Sequence, residues 1–361
     1  AKPAPGRSAG PIVRGSYVGH PRGFGFLSPE GGGADLFVPP NHEGPALDGD
    51  TVEAEAGENG TARIQRVITR GRALLVGTFL GNGLLDADAH RIGRPLTVEG
   101  DAQRGDKVLV ATAKQKLVIR KVLGRAGDAQ VEDEAVLAEL DIKARFPKPV
   151  LAESRELDPP GPRDDHGRLD LRKATTVVTI DPVTSRDFDD AVSLERKGDD
   201  WLLGVHIADV SHYVTPGSAL DREAYRRGTS VYLPGRVIPM LPERLSNDLC
   251  SLREGVDRLA MSVLLRYGPK GQLIETRFAQ SVIRSNRRFS YDRASRVMDG
   301  GAKERGNVGT LLLDMARLAR LLRKNRPSFD LPRQELELVY GGRCEVVDLR
   351  PTSDDVAHGV I

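Results

Sequence analysis

Four aspartates fall within ten positions of the stretch TIDPVTSRDFDDAV, residues 179–192: Asp181, Asp187, Asp189 and Asp190. Carboxylates this close raise one another's pKa and push the chain apart. A fold that contains them must therefore offset the charge or hold the backbone against it. An oxygen-only donor set of this kind selects hard divalent ions such as Mg2+ or Mn2+. Mg2+ keeps several waters and is commonly completed by phosphate oxygens, so in a chain that also carries RNA-binding features such a site would suggest phosphodiester chemistry. Two other readings compete. A calcium loop of EF-hand type needs Gly at its sixth position and Glu at its twelfth; counted from Asp187 those places hold Val192 and Gly198, which excludes it. A solvated acidic turn is the plainer alternative, and the apolar neighbours Phe188, Ala191 and Val192 argue against it.

At 361 residues, with domains of about 100–200 residues as the prior, the chain should hold two to four units. A hydrophobic content of 39% and a charged content of 29% describe a globular protein. No apolar run approaches the ~18 residues of a membrane span, and AKPAPGRSAG lacks the apolar centre of a signal peptide. Cys250 and Cys344 lie far apart without metal-ligand spacing and are read as reduced thiols of a cytoplasmic protein. Net charge is only +2, but basic residues cluster. TARIQRVITRGR (61–72) has four arginines and no acid; Lys107, Lys114, Lys116, Arg120, Lys121 and Arg125 follow one another without an acid; SVIRSNRR adds Arg284, Arg287 and Arg288. These runs fit local cationic patches, against the simpler reading of solvated surface charge.

Residues 12–68 alternate in short segments split by Gly and Pro, the pattern of a small all-β barrel, after a flexible tail at 1–11. Residues 72–123 repeat it more weakly. From 124 to 173 the chain is charged and Pro-rich, and reads as one short helix, DEAVLAEL, then an extended connector. From 174 to 361 the pattern is mixed α and β. A hairpin is expected to turn at KGDD, a helix in SALDREAYRRG to end at Gly228, and Leu311, Leu312, Met315, Leu318 and Leu322 to share one helix face.

The first barrel carries an aromatic signal. Phe24 and Phe26 alternate and should share a strand face, with Phe37 on the neighbouring strand and His20 and Arg22 close by. Exposed rings edged by basic side chains form a platform on which single-stranded RNA bases stack, worth about 1–3 kcal/mol each. Core burial is the competing reading. GFGFL with DLFVP resembles the paired motifs of cold-shock domains, which favours RNA binding.

TIDPVTSRDFDDAVSLER resembles the signature of the ribonuclease II / ribonuclease R exoribonucleases, the RNB family. The resemblance continues through VHIADVSHYV, GSALDREAYRRGTSVYLPGRVIPMLPERLSNDLCSL and SVIRSN, and GHPRGFGF with the tandem barrels is more similar to the ribonuclease R branch. It implies a multidomain fold of two N-terminal OB-type (cold-shock) barrels ahead of an incomplete α+β catalytic domain. It implies Mg2+-dependent (or Mn2+-dependent) 3′→5′ hydrolysis of single-stranded RNA to nucleoside 5′-monophosphates by a cytoplasmic monomer that does not engage membranes. On this likeness Asp181, Asp187 and Asp190 hold metal, and Asp189 is tied most directly to the chemical step. Tyr232, in SVYLPG, matches the tyrosine that stacks on the terminal base, with Phe329 as the second ring of the clamp. The sequence departs from the family at Pro182, Val183 and Thr184, where Gly-Glu-Asp is common. At PTSDDVAHGVI a helix is expected to begin at Ser353, and the family's phosphate-contacting arginine and final OB-type domain would follow. The expectation is therefore RNA binding with little cleavage by these 361 residues, and an apolar face at Leu311, Leu318 and Leu322 left partly uncovered. The alternative is a non-catalytic single-stranded RNA-binding protein that uses its barrels alone.

Overall fold

Short alternating strands produce the first sheet. β1 (Ile12–Gly19), β2 (Gly25–Pro29), β3 (Leu36–Val38), β4 (Thr51–Ala56) and β5 (Ala62–Thr69) pair antiparallel in the order β3-β2-β1-β4-β5. A parallel bridge from Phe37 to Thr61 closes the sheet on itself. Tyr17, Leu27, Val38, Val52 and Ile64 fill the interior. The second sheet repeats the plan with β6 (Leu74–Gly81), β7 (Leu84–Ala87), β8 (Leu96–Thr97), β9 (Asp106–Thr112) and β10 (Leu117–Arg125), in the order β10-β9-β6-β7-β8, with Glu99 bridging to Val118. Helix α1 (Ala129–Glu139) starts at Asp128, whose carboxylate accepts from the Gln130 and Val131 amides, and packs on β6, β9 and β10. The structure is a computed structural model that describes residues 10–88, 92–113, 115–161, 166–233, 235–325, 336–341 and 346–351.

The chain divides into two compact units between Ala144 and Arg145. The second is built on a mixed seven-stranded sheet. Its strands are β11 (Leu169–Asp170), β12 (Val177–Asp181), β13 (Asp190–Lys197), β14 (Asp200–Ala208), then, after a small hairpin β15 (Val231–Leu233) and β16 (Arg236–Ile238), β17 (Asp257–Tyr267), β18 (Leu273–Arg284) and β19 (Arg287–Ser290). The order is β11-β18-β17-β14-β13-β12-β19, parallel only at β11/β18 and β12/β19. β-Branched residues suit β12 to a position buried on both faces. Val177 joins the core shared with α2 (Lys148–Glu156) and α4 (Ala219–Arg227); Val178 and Ile180 join the core under α5 (Tyr291–Met298) and α6 (Gly306–Asn325). A single turn, α3 (Val210–Tyr213), follows β14, and a hairpin of β20 (Leu336–Tyr340) and β21 (Val346–Pro351) comes last.

A buried polar chain crosses the middle of this sheet. His206 Nε2 lies 3.0 Å from Ser193 Oγ, His206 Nδ1 lies 2.6 Å from Ser262 Oγ, and Ser262 Oγ lies 2.6 Å from Ser281 Oγ. Gly204 makes the room, since a Cβ there would stand 2.3 Å from Ser193 Oγ. Burial pushes the His206 imidazole down to about 4, so it is neutral at ordinary pH.

The structure differs from expectation in several places. The 124–173 segment is not simply extended after its first helix: α2 forms there, with Pro149 in its first turn, where no amide partner is needed. Leu311 and Leu318 are buried, each 3% exposed, because α6 lies against the sheet and α5. Exposed apolar side chains sit instead at Ile207, Met261 and Phe278, on the sheet face that carries Asp190. The expected helix at Ser353 lies outside the described residues.

Candidate active site

The four aspartates gather around one end of β12 and β13. Asp181 is the last residue of β12 and Asp190 the first of β13, while Asp187 and Asp189 sit on the irregular loop between them. Phe188, between those two, turns inward and is buried in the core. In parallel register Asp181 lies opposite Ser290, which brings Tyr291 at the start of α5 to the same place. Burial, and then the charges of Asp181 and Asp190, hold the Tyr291 phenol above its ordinary range.

Electrostatics set this cluster apart. Burial, then Asp190, Asp187 and Asp189, push the Asp181 carboxyl up to about 7, with Arg288 pulling the other way. Asp189 is raised by burial and by Asp187 and Asp190; Asp190 is raised by burial. The Cys250 thiol beneath is pushed up to about 12, chiefly by burial and then by Asp189. Asp181 Oδ2 is buried without a hydrogen-bond partner. An orphaned carboxylate oxygen among mutually repelling carboxylates is what a hard divalent cation would satisfy, so the residues fit such an ion. Among the described residues no three His, Cys, Asp or Glu close into a ready-made cage, so waters and a ligand's own oxygens would complete the coordination, as Mg2+ prefers.

Residues 168–361 match the family model described as the RNB domain, and residues 15–69 match the Ribonuclease B OB domain. The chain belongs to the RNB family. It is 36% identical over 385 residues to ribonuclease R of Chlamydia muridarum, covering 97% of this chain and 55% of that protein. It is 38% identical over 324 residues to ribonuclease R of Acidithiobacillus ferrooxidans, covering 83% and 73%. The apo structure of Mycoplasma genitalium RNase R superimposes with a TM-score of 0.82 at 26% identity, over 96% of this chain and 59% of that one. The chain thus spans about half the length of the first of these relatives.

Around the RNB acidic loop, Tyr232 stands on β15, 68% exposed, with Oη 3.5 Å from Asp187 Oδ2. Burial and the Asp187 and Asp189 charges hold its phenol above the ordinary value. Phe329 lies outside the described residues. In the first barrel Phe26 and Phe37 are direct cross-strand partners, with ring centroids 5.8 Å apart and both rings exposed. Phe24 falls one residue before β2, and its carbonyl accepts from the His20 amide across the turn at 21–23. Its ring still reaches the others, 5.9 Å from Phe26 and 5.6 Å from Phe37, and His20 stacks on it at 4.1 Å. Arg22 is exposed at the tip of that turn.

The basic runs behave differently from free cationic patches. Arg66 pairs with Glu53, Arg70 with Asp50, Arg72 with Glu139, Lys107 with Asp88 and Glu132, and Arg284 with Asp257. Their carboxylate partners come from other segments, which a linear count of charge overlooks. In the sequence Arg288 is visible only as a member of such a run. Its Nη2 donates to the carbonyls of Pro182 (2.7 Å) and Val183 (2.8 Å), so it holds the start of the acidic loop, and its guanidinium carbon lies 5.2 Å from the Phe188 ring centre.

Proposed function

We propose that this protein is a metal-dependent 3′→5′ exoribonuclease that degrades single-stranded RNA to nucleoside 5′-monophosphates. The observation that carries the reading is the buried, unpartnered Asp181 oxygen among three further carboxylates in the RNB-matched segment. Asp181, Asp187 and Asp190 would hold Mg2+, or Mn2+ in its place. A divalent ion so held would activate water and stabilise the leaving oxygen of a phosphodiester. Asp189, between two like charges and the most exposed of the three carboxyls with raised pKa, orients the attacking water and takes up its proton. Tyr232, exposed beside Asp187, offers its ring to the 3′-terminal base and so sets how short the final product becomes. The segments 12–68 and 72–123 act as OB-type RNA-binding domains, the first through Phe24, Phe26, Phe37, His20 and Arg22, and 174–361 supplies the catalytic domain's acidic site. The reading makes the protein a cytoplasmic monomer; among the described residues no helix is long and apolar enough to cross a membrane.

A second reading, an RNA-binding protein without cleavage, is favoured by the ring cluster, which is complete without the acidic loop. The two are separated by incubating labelled single-stranded RNA with Mg2+ and with a chelator. The assay is run on the 361-residue chain and on one extended to the length of its relatives. Mg2+-dependent release of mononucleotides by the extended chain is expected. Binding without any release from either chain would leave only the second reading.

A further inference from the structure

The acidic loop has no regular structure between Asp181 and Asp190, and its like charges drive it apart. Its backbone is nevertheless bonded at nearly every step. The Ser251 hydroxyl donates to the Arg186 carbonyl at 2.8 Å and accepts from the Phe188 amide at 3.1 Å. One oxygen therefore grips the residues on both sides of Asp187. The Leu252 amide donates to the Phe188 carbonyl at 2.8 Å, and the Ala208 amide to the Asp189 carbonyl at 2.9 Å. Ser251 is itself immobile. It is fully buried, and its carbonyl accepts from Arg258 Nε at 3.0 Å. Arg258, also buried, donates in addition to the Asp248 carbonyl and to Asp248 Oδ1.

We propose that Ser251 is a positioning residue for the acidic site: by bridging Arg186 and Phe188 its hydroxyl turns the Phe188 ring inward and fixes Asp187 and Asp189 on the outer side at a set spacing. It touches neither carboxylate and acts only through the loop. The proposal rests on the reading that this loop binds a divalent cation. Ser251 reaches the loop from more than sixty residues away, which is why no local motif announces it.

The test compares the full chain with Ser251→Ala and Ser251→Thr, using Mn2+ alone as the probe. Four quantities are read: Mn2+ affinity by calorimetry, amide exchange at Phe188, single-stranded RNA affinity and the melting temperature. Residues that orient metal ligands typically change metal affinity ~10–100-fold when removed. Ser251→Ala is expected to weaken Mn2+ binding by at least that lower figure and to speed Phe188 exchange, with single-stranded RNA affinity unchanged. Ser251→Thr keeps the hydroxyl and is expected to recover most of the Mn2+ affinity, a rescue that a merely space-filling role would not show. Unchanged Mn2+ affinity in Ser251→Ala, or no rescue by Thr, overturns the proposal. If Ser251→Ala does not fold, Ser251→Cys replaces it, with a thiol that hydrogen-bonds weakly and the same direction of effect. Absence of Mn2+ binding by the unaltered chain sinks the nuclease reading instead; Phe188 exchange then decides alone, and unaltered exchange in Ser251→Ala overturns the clamp.

Discussion

The acidic loop and the aromatic face of the first barrel each collect side chains of one kind, by opposite means. Phe24, Phe26, Phe37 and His20 attract one another, and aromatic pairs of this sort add ~0.5–1.5 kcal/mol beyond area burial. The ring cluster needs little more than a hairpin beneath it. Asp181, Asp187, Asp189 and Asp190 repel, and the raised pKa values of Asp181, Asp189 and Asp190 record that the cluster is held against its preference. That requires a floor of buried strands, the Ser251 bridge and the Arg288 guanidinium. The difference teaches that the aromatic face can be damaged ring by ring, while the acidic site can be disabled from positions that never touch a ligand.

The largest effect is expected from Asp189→Asn, which removes one charge at constant shape. In a chain extended to the length of its relatives, mononucleotide release should fall ~hundredfold or more, as losses of transition-state stabilisation do, while single-stranded RNA affinity measured by filter binding stays level. A variant that kept a tenth of the turnover would take Asp189 out of the chemistry and erase the contrast between the two regions.

His206 probes the floor. Its folded pKa, about 4, lies below the ordinary histidine value, so between pH 6.5 and about 4 the unfolded chain binds the extra proton. The contribution is therefore complete above pH 6.5 and is lost as pH falls toward 4, on the order of 3 kcal/mol in all. Trp201, the only tryptophan of the chain, lies on β14 of the same sheet, so its fluorescence follows denaturant unfolding of this unit. His206→Gln should lack that share of the pH slope; an identical slope would show that His206 is not the group responsible.

Smaller losses are expected on the aromatic side. Phe26→Ala and Phe37→Ala should each weaken single-stranded RNA binding by ~1–3 kcal/mol. Because the rings are 40% and 37% exposed and lie outside the barrel interior, the melting temperature should fall less than for a buried core residue such as Leu27. A large drop in stability with RNA affinity intact would make them core residues after all. Smallest in rate is Tyr232→Ala, which should lengthen the limit product seen on a sequencing gel more than it slows digestion. Unchanged product length with a severe loss of rate would tie this ring to the acidic loop and not to the base.

What can be read in the sequence is local. The hairpin at KGDD is there, with β13 ending at Lys197 and β14 starting at Asp200, because alternation and a turn signal are both short-range. Helix α4 begins at the Ser218 cap and ends at Gly228, and α6 follows its leucine spacing. The gathering of the aspartates is legible for the same reason. What escapes is assembled through space. Tyr291 and Arg288 reach the loop by the pairing of β19 with β12 and Ser251 by hydrogen bonds from the irregular segment before β17, and the partners that neutralise the arginine-rich run at 61–72 arrive from β4 and α1 and the turn at Asp50. Phe24 falls one residue outside β2, yet its ring joins those of Phe26 and Phe37 as the alternation predicts.

The junction between the two barrels has a consequence for how the chain yields under load. Arg70, its side chain only 7% exposed, binds Asp50 at 2.6 Å, the Pro45 carbonyl at 3.0 Å and the Ala113 carbonyl of the second barrel at 3.0 Å. Leu47, from the first barrel's stretch of chain, packs into the second barrel's interior, and Gly71 presses so closely on Gly49 that a Cβ would lie 2.2 Å from its carbonyl oxygen. Beads on a string would come away singly when stretched. Two barrels riveted in this way should instead rupture together, in a single force peak, and neither should survive intact when the other is cut away.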